Sequence, residues 1–212
     1  GGSQEGLKLM GGKATVVGST ITGATNGVTM TREHRTVTES PTLVLEGSRV
    51  EGLNGPAILV DQVITSEIDV NNGSSLIGGN GNLLELTNGG NANMRVNRSE
   101  LTGNIQVGTG SALDLSLDRA IMNGDVINNG GTASVGLDNG SILTGRLENV
   151  DKLAINNDAT WVMVDNQQVG DLSLSGGNVK FGDAGTFYRL DVANLSGNGT
   201  FHMSADFSTL TG

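Results

Sequence analysis

Apolar and polar residues alternate in short segments along most of the chain. In six places two apolar residues are separated by a single residue: Ala14/Val16, Leu43/Leu45, Ile68/Val70, Met94/Val96, Leu115/Leu117 and Val135/Leu137. A period of two places alternate side chains on the same face of a strand. The pattern therefore predicts a series of short β-strands, each with one face turned inward.

Each of these pairs is followed by the phrase Ser-x-aliphatic-x-Gly or a close variant. The closing glycines, which step by 29, 26, 25, 21 and 21 residues, are Gly23, Gly52, Gly78, Gly103, Gly124 and Gly145. A further short apolar segment follows each glycine, as in Ala57–Val60 and Ile105–Val107. A repeat of this length is typical of a solenoid, in which each unit buries its apolar face against the next.

The repeat predicts a parallel β-helix with about three short strands in each coil. A leucine-rich repeat fold has a similar period, but it needs a helical segment with 3.6-residue spacing that the sequence lacks. We expect roughly nine coils of about 21–29 residues, stacked about 4.8 Å apart into a rod on the order of 45 Å long. Residues 1–145 are predicted to form regular coils with surface loops, and residues 146–212 an aromatic-rich, truncated final part of the same β-helix.

Composition and charge exclude several classes of partner. The chain has 34 glycines, two prolines and no cysteine, with a net charge of −10. The few basic residues are scattered, so neither nucleic acid nor an anionic membrane surface is an expected partner. The absence of cysteine fits a cytosolic protein as well as a chain that crosses a membrane unfolded. Because no signal segment is visible, we expect a mature segment or a piece of a longer protein.

The second repeat unit is the longest, and its surplus lies around Met30–Thr36. This charged excursion predicts a loop that protrudes from the rod, because solenoids accept insertions at their turns. The candidate residues for contact with a partner are Arg32, Glu33, His34 and Arg35. A solvated turn without a binding role is the alternative.

The part of the chain from Gly145 to Phe207 resembles a known family. It contains spaced motifs in a specific order: Leu153–Met163, Asp165-Asn166, Val169–Leu174, Gly177–Phe181 and Leu190–Met203. These motifs are similar to the C-terminal stem of the pertactin-type passenger of bacterial autotransporters. Upstream of them, only the coil periodicity agrees with the family, and an Arg-Gly-Asp motif is absent from the sequence.

The resemblance implies a right-handed parallel β-helix at the surface of a Gram-negative cell, secreted through its own C-terminal β-barrel. The matched region corresponds to the part of the family called the autochaperone, which helps the passenger to fold as it emerges. Every aromatic residue lies between 161 and 207, where large buried side chains contribute most to stability. We therefore hypothesise a role in folding for Trp161, Phe181, Leu190, Val192, Leu195 and Phe201.

Candidate chemistry is sparse in this sequence. Alignment of neighbouring repeats places Asp118 beside Asp138, at a separation that a glycosidase could use, but no aromatic platform for sugar stacking lies near them. The turn Gly78–Asn82 resembles a calcium-binding nonapeptide repeat, but Leu83 stands where a ligand Asp is needed. His34 and His202 are predicted to be ordinary surface or turn residues. No cofactor or metal is expected.

These observations favour a non-enzymatic passenger segment, an adhesin-type or virulence-type stalk whose C-terminal coils promote folding. The expected partners are a host cell surface, the extracellular matrix or another bacterial cell. One alternative is the stem of a larger autotransporter that carries an enzyme, such as a protease or esterase, further towards the N terminus. The other is a carbohydrate-active β-helix that uses Asp118 and Asp138.

Overall fold

The computed structural model describes residues 4–32, 38–62 and 65–206 of the chain. These residues form 23 β-strands joined by turns, and the strand pairs run parallel, each strand lying beside its equivalent in the next coil. Nine strands stack along one side of the rod. The predicted parallel β-helix of about nine coils is confirmed, with three short strands in each of the first seven coils.

Each of the first seven coils contributes one strand to each of three columns. Column A is a seven-stranded sheet: β1 (Leu7–Leu9), β4 (Val28–Met30), β7 (Ile58–Asp61), β10 (Asn82–Thr87), β13 (Asn104–Val107), β16 (Val126–Asn128) and β19 (Leu147–Glu148). Column B begins with β2 (Lys13–Val17), β5 (Thr42–Glu46), β8 (Thr65–Asn71), β11 (Asn91–Asn97), β14 (Ala112–Asp118), β17 (Thr132–Asp138) and β20 (Val150–Asn156). Column C contains β3 (Thr20–Gly23), β6 (Arg49–Gly52), β9 (Ser75–Gly78), β12 (Glu100–Thr102), β15 (Ile121–Asn123), β18 (Ile142–Thr144) and β21 (Thr160–Val162).

The last two strands are longer than the others and extend across two columns. Strand β22 (Gln167–Lys180) pairs with β20 in column B and then with β21 in column C, with an irregularity in register near its middle. Strand β23 (Leu190–His202) follows β22 along almost its whole length. Columns B and C therefore merge into one sheet at this end of the rod.

The core is a set of aliphatic stacks that run along the rod. In column B the strand register places one residue of each predicted apolar pair directly above its equivalent, in the order Leu43, Ile68, Met94, Leu115, Val135, Leu153 and Leu172. These side chains are buried. The period-two pattern thus specifies the register as well as the strands, because a slip of one residue would expose every member of the stack.

The serine of the repeated phrase links neighbouring coils through hydrogen bonds. The hydroxyl of Ser74 accepts a bond of 3.0 Å from the backbone N–H of Ser48, and the hydroxyl of Ser141 accepts one of 3.1 Å from Ala120. Ser74 also donates to the carbonyl of Asn71 at 2.7 Å. These serines are buried, so a small residue with both donor and acceptor capacity is needed at the corner.

The glycine that closes the phrase lies where two coils approach closely. A Cβ atom built on Gly145 would overlap the carbonyl group of Gly124 in the preceding coil, and one built on Gly124 would overlap that of Gly103. Outward-facing Gly136 differs, because the nearest atom to an added Cβ is the Leu115 oxygen at 4.0 Å. The repeated glycines are therefore required by the spacing of the coils.

The corner between columns B and C holds one residue per coil in the left-handed conformation. Residues with φ between 49° and 55° stand there in successive coils: Gly18, Gly47, Asn72, Arg98, Arg119, Asn139 and Asn157. Glycine and asparagine tolerate this conformation, whereas in arginine the Cβ atom lies too close to the neighbouring carbonyl oxygen. The two arginine positions are thus local departures from the preferred sequence.

The surplus of the second unit begins later than the sequence indicates. Met30 is completely buried on β4, and the N–H of Thr31 still bonds to the carbonyl of Leu9 at 2.9 Å. The expectation that the excursion includes Met30 is wrong, because this residue continues the inward side of column A. Within the described ranges there is no helix with the length and apolar character that crossing a membrane requires.

Candidate functional site

Two of the residues proposed to assist folding lie in the core. Trp161 is fully buried on β21, and its indole N–H donates a hydrogen bond of 3.0 Å to the carbonyl of Gly145. Phe181, directly after β22, is 7% exposed. Trp161 therefore combines a large buried surface with a satisfied polar group, which is how a tryptophan contributes most to a core.

The other four proposed folding residues lie on β23. Leu190 and Val192 are partly buried against the core, whereas Leu195 is 57% exposed and Phe201 is 38% exposed. The ring of Phe201 meets that of Phe181 edge to face at a centroid distance of 6.2 Å. The exposure has a simple cause, because in the described part of the chain β23 pairs only with β22.

The predicted partner loop is described only at its first residue. Arg32 is partly exposed and lines a hollow on the outer side of column A together with Lys8 and Asp61. Glu33, His34 and Arg35 lie outside the described residues. The contact role of this loop stays a prediction.

A groove runs along the outer face of column B, parallel to the axis of the rod. Its floor consists of small residues at the same register position in successive coils: Ser116, Gly136, Ala154 and Ser173. One wall contains Asp114, Ser134, Lys152 and Asp171. The other wall contains Asn97, Asp118, Asp138 and Asn156. We call this feature the axial groove; Arg95 borders one end of it.

Asp118 and Asp138 occupy equivalent positions on β14 and β17, as their alignment in the sequence predicts. Oδ1 of Asp118 accepts a hydrogen bond from the amide of Asn139 at 3.0 Å, and Oδ1 of Asp138 accepts one from the amide of Asn157 at 2.8 Å. Their other partners differ, because Oδ1 of Asp118 also pairs with the guanidinium of Arg119 at 3.2 Å, whereas Oδ1 of Asp138 accepts from the backbone N–H of Asn139 at 2.8 Å. Both carboxylates thus act as structural acceptors in an open groove, and a glycosidase pair needs in addition one carboxyl group in surroundings that favour its protonated form.

Acidic residues of one coil are bound by polar residues of the next coil in several places. The carboxylate of Glu46 accepts from the amide of Asn71 at 2.9 Å, and that of Asp171 accepts from Asn194 at 2.7 Å. In each of these pairs the acceptor precedes its donor in the sequence, as it does for Asp118 and Asp138. We call this arrangement the acid–amide ladder.

Arg95 performs the same linking function with charge. Its Nε lies 2.6 Å from Oδ1 of Asp69, and its guanidinium also reaches Glu67 at 3.0 Å. The hydrogen bond to Asp69 is the main cause of a raised pKa for Arg95, with a smaller contribution from Glu67. The guanidinium is therefore fixed between two carboxylates of the preceding coil.

The remaining candidate positions have structural surroundings. The exposed His202 ring contacts the side chain of Asn178 at 3.2 Å. In the turn that resembles a calcium repeat, the amides of Asn80 and Asn82 donate to Glu85, and Leu83 is buried. Within residues 4–32, 38–62 and 65–206, no three His, Asp or Glu side chains are grouped closely enough to hold a metal ion.

The axial groove is not among the predicted sites, although the sequence contains a signal for it. In four consecutive coils the residue between the two inward apolar residues is small, as in Leu115-Ser116-Leu117 and Val135-Gly136-Leu137. The outward position between inward residues is where a strand normally carries a long polar side chain. A run of small residues at that position indicates a depression, provided that the coils are first aligned.

Comparison with known proteins finds local relatives among autotransporters. The chain is 39% identical over 98 residues to the protein named Probable autotransporter YcgV from Escherichia coli (strain K12), which covers 42% of this chain and 10% of that protein. It is 49% identical over 65 residues to Pertactin autotransporter from Bordetella bronchiseptica, covering 29% of this chain and 7% of that protein. No protein-family model matches the chain.

These comparisons confirm the resemblance to a pertactin-like passenger region that the sequence motifs indicate. The chain spans a tenth or less of the length of these two relatives.

Proposed function

We propose that this chain is a non-enzymatic segment of an autotransporter passenger, a β-helical stalk at the outer surface of a Gram-negative bacterium. One observation carries the proposal: a parallel β-helix contains a stretch that is 49% identical to a pertactin autotransporter. The stacked coils suit a stalk, since each coil contacts only its neighbours and the rod length grows with coil number. We further propose an adhesive or virulence role, through contact with host cells, extracellular matrix or other bacteria.

Display can be tested by expressing the chain between a secretion signal and the translocator of a known autotransporter in Escherichia coli. The expected result is that an epitope tag on the chain becomes accessible to antibody and to added protease on intact cells. A β-helical enzyme domain of similar length that is not secreted by this route serves as a control. Retention of the tag inside intact cells, with normal export of the unmodified autotransporter, would contradict the proposal.

We also propose that the C-terminal coils fold first and provide the strand edge on which earlier coils assemble. The support is Trp161, whose ring is fully buried and whose N–H is satisfied, together with the long strands β22 and β23. Trp161→Ala removes a large core side chain and should cost about 3–5 kcal/mol. If these coils form the nucleus, most of that loss appears as slower refolding.

Met94→Ala provides the matched control, because Met94 is fully buried in a middle coil. Its loss should appear mainly as faster unfolding, with refolding little changed. Circular dichroism measures refolding after dilution from urea and unfolding after dilution into urea, and unlike fluorescence it does not depend on the tryptophan that Trp161→Ala removes. Equal slowing of refolding in the two variants, or slowing in Met94→Ala alone, would refute a C-terminal nucleus.

A further inference from the structure

The hollow beside Arg32, on the outer side of column A, has a volume of about 400 Å³, which is within the range of small-molecule sites. Its floor contains Thr29 on β4 and Thr31 directly after that strand. These two residues face outward, since Val28 and Met30 alternate with them and lie in the core. Both threonines are nevertheless buried, at 9% and 7% exposed. The floor therefore lies at the bottom of a depression, which we call the column A hollow.

The hydroxyl group of Thr31 is a buried polar group without a partner. Within the described residues its oxygen makes no hydrogen bond, although such groups are normally paired in folded proteins. Rotation about χ1 can turn the hydroxyl toward a ligand without moving the backbone. The oxygen of Thr29 accepts from the amide of Asn26 at 3.1 Å, which leaves the Thr29 hydroxyl proton available to donate. The floor thus offers two hydroxyl groups to an acceptor.

Two cations border the column A hollow and have no anion of their own. Lys8 on β1 stands beside Thr29 in the strand register, and Arg32 follows Thr31 along the chain. In the part of the chain that the structure describes, neither cationic side chain is in an ion pair or a hydrogen bond. Arg95, in contrast, is held between two carboxylates. Lys8 and Arg32 are therefore available to an anionic group above the floor.

The opposite rim of the hollow carries an acceptor. Asp61, at the end of β7, stands beside Thr31 on the side away from β1. Its Oδ1 accepts from the side chains of Thr87 and Asn88 at 2.7 Å each, and among the described residues nothing donates to its Oδ2. The next coil thus fixes this carboxylate, so a ligand would not have to order it. Because Glu5 also borders the hollow, the surroundings favour a ligand that has hydrogen-bond donors as well as an anionic group.

From this arrangement we infer that the column A hollow binds a sugar acid, a single ring that carries one carboxylate, of the uronic or sialic type. The carboxylate lies toward Lys8 and Arg32 and accepts from the hydroxyl of Thr31. The ring hydroxyls donate to the unused oxygen of Asp61. The span from β1 to β7 is about 10 Å, which a substituted sugar ring can bridge and an isolated sulfate cannot. The inference goes beyond a passenger role, and it does not depend on where the protein is displayed.

The net charge of the chain makes this inference easy to separate from unspecific attraction. At a net charge of −10 the protein as a whole repels an acidic sugar, so any preference for the acid over its neutral counterpart must come from local cations. Salt should weaken the binding, because the contact with Lys8 and Arg32 is electrostatic.

The test is an NMR titration of the isotope-labelled chain with methyl glucuronide and with sialyllactose, each compared with its neutral counterpart, methyl glucoside or lactose. At least one acid should bind about tenfold more tightly than its counterpart, and the arm that binds distinguishes a uronic from a sialic ligand. Binding of neither acid overturns the inference, and so does equal binding of acid and counterpart. Inorganic sulfate that binds as tightly as the sugar acid also overturns it, since the site would then hold a simple anion.

Three variants place the binding in the hollow. Thr31→Val removes the hydroxyl but keeps the shape, and it should weaken binding about fivefold while the urea midpoint stays level or rises. Lys8→Met should weaken binding about tenfold, whereas Lys13→Met removes the same charge from β2, outside the hollow, and should leave binding unchanged. Equal effects of the two lysine variants overturn the inference. So does full binding by Thr31→Val.

Discussion

The close approach of successive coils at the repeated glycines makes Gly145→Ala a sensitive test of the fold. The added Cβ would stand 2.6 Å from the carbonyl carbon of Gly124 and nearer still to its oxygen. Both atoms belong to backbone that is itself held in the stack, so they cannot rotate away as a side chain can. The two coils must separate locally, which weakens the bond of 3.0 Å that the Gly124 N–H donates to the Thr144 carbonyl.

Overpacking of a tight core costs about 1–3 kcal/mol and occasionally more. We expect about 3 kcal/mol for Gly145→Ala, because the obstruction is backbone and a hydrogen bond is strained in addition. Gly136→Ala is the matched control, since its Cβ has no atom closer than 4.0 Å. Removing a glycine from an unobstructed strand position should stabilise the protein by about 0.5 kcal/mol.

Urea unfolding followed by fluorescence is a suitable assay, because Trp161 is the single tryptophan and its indole is bonded to Gly145. The midpoint should fall for Gly145→Ala and should stay level or rise slightly for Gly136→Ala. Coincident midpoints for the two variants would refute the argument. A higher midpoint for Gly145→Ala would show that the coils are not packed as closely as described.

Three further substitutions test other features of the stack, each by the shift in urea midpoint. Ser66→Ala should stabilise the chain by about 1 kcal/mol, because within the described residues this buried hydroxyl has no hydrogen-bond partner. Alanine also fits the position, since Ala92 stands at the same register position in the next coil; a loss of stability would contradict this expectation. Arg98→Asn should stabilise the folded chain by up to about 1 kcal/mol, because asparagine tolerates the left-handed conformation at φ 49° better than arginine does. An unchanged or lower midpoint would contradict this steric explanation. Arg95→Met should lower the free energy of unfolding by about 1 kcal/mol at low salt and by less at high salt, since it leaves the carboxylates of Glu67 and Asp69 without their cation. A loss that does not depend on salt would show that packing of the Arg95 side chain dominates.

Much of the fold could be predicted from the sequence because a solenoid repeats its requirements. Each inward pair such as Leu115/Leu117 has an equivalent in the next coil, so the period reveals both the strands and their register. The same alignment correctly placed Asp118 beside Asp138. The predicted extent of the excursion near Met30 is wrong, because a threonine and a methionine at the end of a strand carry no signal of where the strand ends.

The candidate site was less accessible to sequence reasoning. The axial groove is formed by what is missing at Gly136 and its equivalents, and an absent side chain has no motif. The exposure of Leu195 and Phe201 could not be predicted either, because an apolar residue in a strand pattern looks the same whether or not another coil covers it. The hydrogen bonds of the serine corner required the relative height of two coils, which only the structure provides.

The acid–amide ladder makes the coil an interchangeable module. Asn139 and Asn157 bind to Asp118 and Asp138 in the same way, and β15 stands in register with β18 at an interval of 21 residues. Excision of residues 121–141 should therefore bring Asn157 beneath Asp118 and give a shorter rod that still folds, which circular dichroism and thermal unfolding can verify. Such rods can change length by duplication or loss of whole coils within a gene, because the joint is formed by the same kind of acid–amide contact as every other coil boundary in the ladder.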